Sequence, residues 1–207
     1  MKISLPKIYP ITDRRLSGLS HAEQTRAFIE GGATLIQLRE KSTDMRAFYD
    51  DVVNALALAR EHRGTLLIND RVDIAMVTHA DGVHLGQDDL PPAEARKLLG
   101  ANAIIGLSTH NIEQFGDALK EPIDYIAVGP IFSTSTKDNP DPVVGVDFLI
   151  EAKRIAGDMP MVAIGGINAA NVASVLAAGA DSAAMISELY RSGEIASHYR
   201  ELSDLAG

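Results

Sequence analysis

The stretch TLIQLREKSTDMRAFYDDVVNALALAREHRGTLLIND, residues 34–70, decides the fold. It opens on a short apolar run, passes through a long segment with helical spacing and closes on a second apolar run. Both runs are close to continuous rather than strictly alternating, as expected of strands covered on two faces. A strand, a helix and a second such strand make a parallel pair. The unit recurs along the chain. Strand-like runs fall at 7–13 (KIYPITD), 34–40, 65–70, 82–87 (GVHLGQ), 104–109 (IIGLST), 125–130 (YIAVGP), 161–166 (MVAIGG) and 182–187 (SAAMIS). Helix-like stretches lie at 21–30, 44–62, 71–78, 92–99, 112–119, 146–155, 169–178 and 195–205. Ser20 and Glu23 have capping-box spacing, Asp44 and Asn111 suit N-caps, and Gly100 and Gly179 sit where helices should stop. Eight such units predict an α/β fold, a (β/α)8 barrel formed as one domain over 1–207. The alternative is an open, doubly wound sheet.

The 207 residues are 46% apolar and 23% charged, an ordinary globular balance. No apolar run approaches the roughly 18 residues of a membrane helix, and the N-terminal residues have no secretory pattern. The absence of cysteine excludes disulfides and thiolate chemistry and predicts a cytoplasmic chain. A net charge of −9 argues against a broad nucleic-acid surface. It leaves room for small anions wherever cations and backbone N–H groups gather.

In a barrel, chemistry sits at the C-terminal ends of the strands. Side chains alternate along a strand, so Leu35, Gln37, Arg39 and Lys41 share a face. If that face lines the barrel, Gln37 points into the lumen, and Arg39 and Lys41 stand above it at the rim. Arginine suits a two-pronged grip on phosphate and lysine adds a point charge. An ion pair with Asp70 or Asp89 is the structural alternative. Asn69 and Asp70 close the third strand and Asp89 follows the fourth. Two carboxylates brought together near phosphate are natural ligands for Mg2+, and helix capping is their plainer role. Ser108 ends the fifth strand. The segment FSTSTKDNPDP, 132–142, is long for a βα loop, as lids are. Gly165 and Gly166 before a helix, with Ser187 after the eighth strand, suggest a second anion site. His84 and His110 fall on or near the rim and receive no role.

Taken together, GGATLIQLREK, LLINDRVDIA, DGVHLGQDDLP, GLSTH, VGPIFSTSTK, AIGGI and MIS resemble the thiamine phosphate synthase family, over nearly the whole chain. The resemblance implies a Mg2+-dependent transferase on a (β/α)8 barrel. Such an enzyme joins hydroxymethylpyrimidine diphosphate to a thiazole phosphate by dissociative substitution, releasing diphosphate. It implies that Gln37, Leu38, Arg39, Glu40, Lys41, Asn69, Ser108 and Lys137 bind the pyrimidine diphosphate. Arg39, Ser108 and Lys137 would act in catalysis, and Asp70 and Asp89 would hold the metal. Thr134, Ser135, Thr136, Gly166, Ile186 and Ser187 would take the thiazole phosphate. Glu188, directly after the phosphate-site serine, departs from the pattern, and Asp138 and Asp141 add charge beside the Lys137 loop. Partners are small phosphorylated molecules, with no nucleic acid and no membrane, and a homo-oligomer stays open. Competing functions are a thiazole tautomerase-like relative and a non-catalytic barrel that binds a phosphorylated ligand. A sugar-phosphate isomerase or aldolase would need a clear acid–base pair or a lumen lysine, and the sequence places Lys137 in a loop.

Overall fold

A computed structural model of the chain describes residues 3–41, 44–136 and 141–207. Its strands are β1 (Ile8–Pro10), β2 (Leu35–Leu38), β3 (Thr65–Asn69), β4 (Gly82–Leu85), β5 (Ile104–Thr109), β6 (Tyr125–Val128), β7 (Met161–Ile164) and β8 (Ser182–Met185). All pair in parallel in the order β1-β8-β7-β6-β5-β4-β3-β2. A parallel bridge between Ile11 and Gln37 brings the ends of that sheet together, and Thr12 N–H donates to the Gln37 carbonyl at 2.9 Å. The sheet is therefore a nearly closed barrel, and the open doubly wound alternative fails at this seam.

The helices are α1 (Arg14–Ser17), α2 (His21–Glu30), α3 (Met45–Glu61), α4 (Val72–Thr78), α5 (Pro92–Leu99), α6 (Ile112–Ala118), α7 (Gly145–Ala156), α8 (Val172–Ala177) and α9 (Ile195–Leu205), with a 3-10 turn at Ser187–Tyr190. The expected start signals act as read. Ser20 and Glu23 form a reciprocal capping box, Asp44 accepts from Ala47 N–H, and Asn111 accepts from Gln114 N–H. Helix α1 and the 3-10 turn were not expected, because four residues are too few for a helical period to register. Asp13 makes α1, accepting from the N–H groups of Arg15 and Leu16. Among the described residues no helix is long and apolar enough to cross a membrane.

Strand alternation divides the apolar residues into two layers. Tyr9, Ile11, Leu35, Leu67, Tyr125 and Val162 fill the barrel. Ile36, Leu38, Leu66, Ile68 and Val83 point outward and pack with helix residues such as Phe48, Val52 and Phe115. The two layers hold the strand ends, and the loops that follow them, around one rim.

Candidate active site

A cavity of about 540 Å³ opens at that rim. From β2 and its continuation come Gln37, Arg39 and Lys41; from the end of β3, Asn69 and Asp70; after β4, Asp89; and from β5, Ser108. Across from them stand Thr134 and Thr136 after β6, Gly166 after β7, and Ile186 and Ser187 after β8. As alternation along β2 predicts, the odd-numbered side chains Gln37, Arg39 and Lys41 line the cavity. The side chains of Leu38 and Glu40 do not. Leu38 is fully buried in the outer layer. Glu40 turns to His21 Nε2 at 3.3 Å and Arg14 at 3.5 Å. Only their main chain remains to meet a ligand. Ser135 is exposed and off the cavity wall, unlike its neighbours Thr134 and Thr136. Lys137 and Asp138 lie outside the described residues, as does part of the expected lid.

Both cations are held by carboxylates. Lys41 Nζ is 2.6 Å from Asp70 Oδ2, one of the expected partners. Arg39 pairs instead with Asp13 Oδ2, at 3.0 Å. The barrel seam explains this choice, because it sets the end of β1 beside the end of β2. Asp13 is the partner that sequence reasoning missed, and its position closing the first strand was the available signal. Asp70 has a left-handed backbone, φ 62°, a conformation that aspartate tolerates better than most residues. The capping roles considered for both aspartates are not taken, since α4 and α5 begin without side-chain caps. Asp89 Oδ2 accepts from Gly86 N–H at 2.7 Å. Partial burial, aided by the nearby Asp70, raises the Asp89 carboxyl above its ordinary range, against the pull of that Gly86 bond. Two carboxylates from adjacent strands thus face one cavity, and among the described residues no third His, Cys, Asp or Glu joins them as a metal cluster. Such a donor set fits Mg2+, which keeps few protein ligands and completes its shell with water and phosphate oxygens.

At the opposite wall the chain turns through Gly165 (φ +101°) and Gly166 (φ +63°). A Cβ on Gly165 would run into Pro130, and one on Gly166 into Phe132 and Ser133. Only glycine fits this turn, and its backbone lies open to the cavity. Glu188 resolves favourably. It is buried away from the cavity, and its carboxylate accepts from Ala169 N–H at 3.4 Å and from Arg191 at 3.2 Å. Asp141 lines the cavity mouth, 3.4 Å from His110 Nε2.

On the cavity floor Gln37 and Ser108 are joined through three residues given no role from the sequence, Tyr9, Tyr125 and His84. Gln37 Nε2 donates to Tyr9 Oη at 3.1 Å, and Tyr9 Oη is 3.2 Å from Tyr125 Oη. Tyr125 Oη meets His84 Nδ1 at 2.8 Å, and His84 Nε2 meets Ser108 Oγ at 2.8 Å. Burial pushes the His84 imidazole down to about 4 and the Tyr9 phenol up to about 12, and raises Tyr125 as well. All three are therefore neutral near pH 7. The signal was in the alternation: His84 shares the inward face of β4 with Gly82, as Tyr9 and Tyr125 share those of β1 and β6.

Cations and paired aspartates at one wall, with an open glycine turn at the other, define a class: a barrel that can hold two phosphate-bearing groups at once. The thiamine monophosphate synthase family model matches residues 8–189, and the chain belongs to that family. It is 42% identical over 200 residues to a thiamine-phosphate synthase of Chloroflexus aurantiacus, covering 96% of this chain and 92% of that one. It is 43% identical over 199 residues to a thiamine-phosphate synthase of Syntrophomonas wolfei, with 96% and 95% covered. A solved thiamine phosphate pyrophosphorylase from Pyrococcus furiosus superposes with a TM-score of 0.86 at 36% identity, covering 97% of this chain and 95% of the other.

Proposed function

We propose that the chain is a thiamine phosphate synthase and that both half-reactions of the substitution occur in this cavity. The observation that carries the site assignment is the convergence of Gln37, Arg39, Asp70, Asp89, Ser108, Gly166 and Ser187 on one space. Gln37 meets the aminopyrimidine. Arg39, Lys41, Asn69 and Ser108 hold its diphosphate, and Thr134, Thr136, Gly166, Ile186 and Ser187 hold the thiazole phosphate. Asp70 and Asp89 would hold Mg2+, which offsets negative charge on the diphosphate. The bond from the pyrimidine CH2 to the diphosphate oxygen breaks, and its electron pair leaves with diphosphate. The lone pair of the thiazole nitrogen then forms the new C–N bond, so no side chain need act as nucleophile or base. The chain's contribution is electrostatic: donors and cations fixed where charge develops on the leaving group.

The test is a product assay with purified protein, both substrates and Mg2+, reading thiamine phosphate as its fluorescent thiochrome. Product should form, vanish with EDTA, and show a weakened Mg2+ dependence in Asp70→Ala. Arg39→Ala and Ser108→Ala should each lower kcat/KM by an amount equivalent to about 3 kcal/mol. No product from folded protein would refute the proposal. An Asp70→Ala variant with an unchanged Mg2+ titration would remove Asp70 from the metal site.

A further inference from the structure

The floor residues do more than fill the barrel. Gln37, Tyr9, Tyr125, His84 and Ser108 form an unbroken hydrogen-bonded chain that draws on five different strands. Its two ends, Gln37 and Ser108, line the cavity, as does His84 next to Ser108. Its middle is sealed, with Tyr9 and Tyr125 at 1% and 0% exposure. Space is reserved for it, since a Cβ on Gly106 would run into the Tyr125 ring and hydroxyl. The His84 and Tyr125 rings stack with centroids 5.5 Å apart.

Each inner member has one hydrogen to give: one per phenol, and one on a neutral imidazole. The chain therefore runs in a single direction, because a change of direction part-way would make one phenol accept twice and leave its own hydrogen unspent in a sealed interior. With Gln37 Nε2 donating to Tyr9, Tyr9 donates to Tyr125 and Tyr125 to His84 Nδ1. His84 Nε2–H then donates to Ser108. Ser108 keeps its own hydrogen for the cavity, and Gln37 keeps its carbonyl oxygen. If Gln37 turns its amide over, every bond reverses. Ser108 then spends its hydrogen on His84 and presents only lone pairs.

We propose that Tyr9, Tyr125 and His84 are positioning residues that couple the two ends of the pyrimidine substrate. A ligand amino group accepted by the Gln37 oxygen sets Ser108 as a hydrogen-bond donor to the ligand's diphosphate, some distance along the cavity. No net proton moves and no covalent bond changes. An analogue with an oxo group in place of the amino group calls on the Gln37 amide to donate. It thereby reverses the chain and turns Ser108 lone pairs toward an anion. Discrimination against that analogue then exceeds what one contact at Gln37 supplies. This inference rests on the proposed substrate, and its first test does not.

That first test is the His84 tautomer, read by 15N NMR of histidine-labelled protein, alone and with inorganic pyrophosphate. The expected form has hydrogen on Nε2 and a bare, accepting Nδ1 in both samples. Hydrogen on Nδ1 with pyrophosphate bound would overturn the relay, whatever the product assay shows. The second test is a set of variants, Tyr125→Phe, Ser108→Ala and their double, titrated with pyrimidine diphosphate by calorimetry. Tyr125→Phe should weaken binding about tenfold, the scale of one hydrogen bond to a charged group. The double variant should bind no worse than Ser108→Ala alone, and Tyr125→Phe should narrow the preference for the amino over the oxo analogue. Independent, multiplying losses with an unchanged preference would overturn the coupling.

Discussion

Asp13 shows how much one side chain carries at this site. It caps α1 through the N–H groups of Arg15 and Leu16 and holds Arg39 at 3.0 Å. It does so at 3% exposure, where an unpaired charge is costly. Asp13→Ala should therefore lower stability by about 3 kcal/mol in urea unfolding. Asp50→Ala, which breaks the exposed pair with Arg46, should stay within about 1 kcal/mol. Equal losses would contradict the role assigned to Asp13. His84 makes a second demand, one that depends on pH. Its folded imidazole sits near 4, against 6.5 for an ordinary histidine, because it is buried. The unfolded chain thus binds a proton at a pH where the folded chain does not. His84's contribution is fully present above about pH 6.5 and is lost as the pH falls toward about 4. The loss is on the order of 3 kcal/mol. The stability of wild type should fall more steeply across that window than that of His84→Asn, and parallel curves would exclude the effect.

Among the elements, the strands were the most legible and the short turns the least. Near-continuous apolar runs such as those around Leu66–Ile68 mark strands covered on both faces, and the structure places a parallel strand inside each of the eight runs. The period of two also places Gln37, Arg39 and Lys41 on the cavity side of β2 and its continuation. The same rule turns the side chains of Leu38 and Glu40 away from the cavity. Asp13–Arg39 was only half legible: Asp13 visibly closes the first strand, but its pairing with Arg39 depends on which strands meet at the seam rather than on local spacing. Alternation turns Tyr9, His84 and Tyr125 inward, but the floor chain itself was hidden for a related reason: its five members are far apart in sequence and meet only when the barrel closes. The turn after β7 is an element whose backbone dictates its residues. Gly166→Ala must take φ +63° and push against Phe132 and Ser133. It should cost about 2 kcal/mol of stability. It should also raise KM for the thiazole phosphate more than for the pyrimidine diphosphate. A rise confined to the pyrimidine substrate would place the turn in the wrong subsite.

At the scale of the whole molecule, the barrel is unevenly sewn. Seven strand pairs carry extended ladders, while β1 and β2 meet at the Ile11–Gln37 bridge. That seam lies beside Asp13, Arg39 and Gln37, so the weakest join in the sheet borders the proposed pyrimidine subsite. In native-state hydrogen exchange the Thr12 amide should exchange well before amides of β5 and β6. Bound pyrimidine diphosphate should slow it. Equal protection across all eight joins would show that the seam is no softer than the rest. The central claim is that one cavity seats both halves of thiamine phosphate, with the pyrimidine at Gln37 and the phosphate at Gly166 and Ser187. A crystal structure of the protein with thiamine phosphate and diphosphate tests it most directly. The pyrimidine amino group should lie on the Gln37 oxygen, the product phosphate on the Gly166–Ser187 wall, and free diphosphate between Arg39 and Ser108. Product bound in the reverse orientation, or outside this cavity, would contradict it.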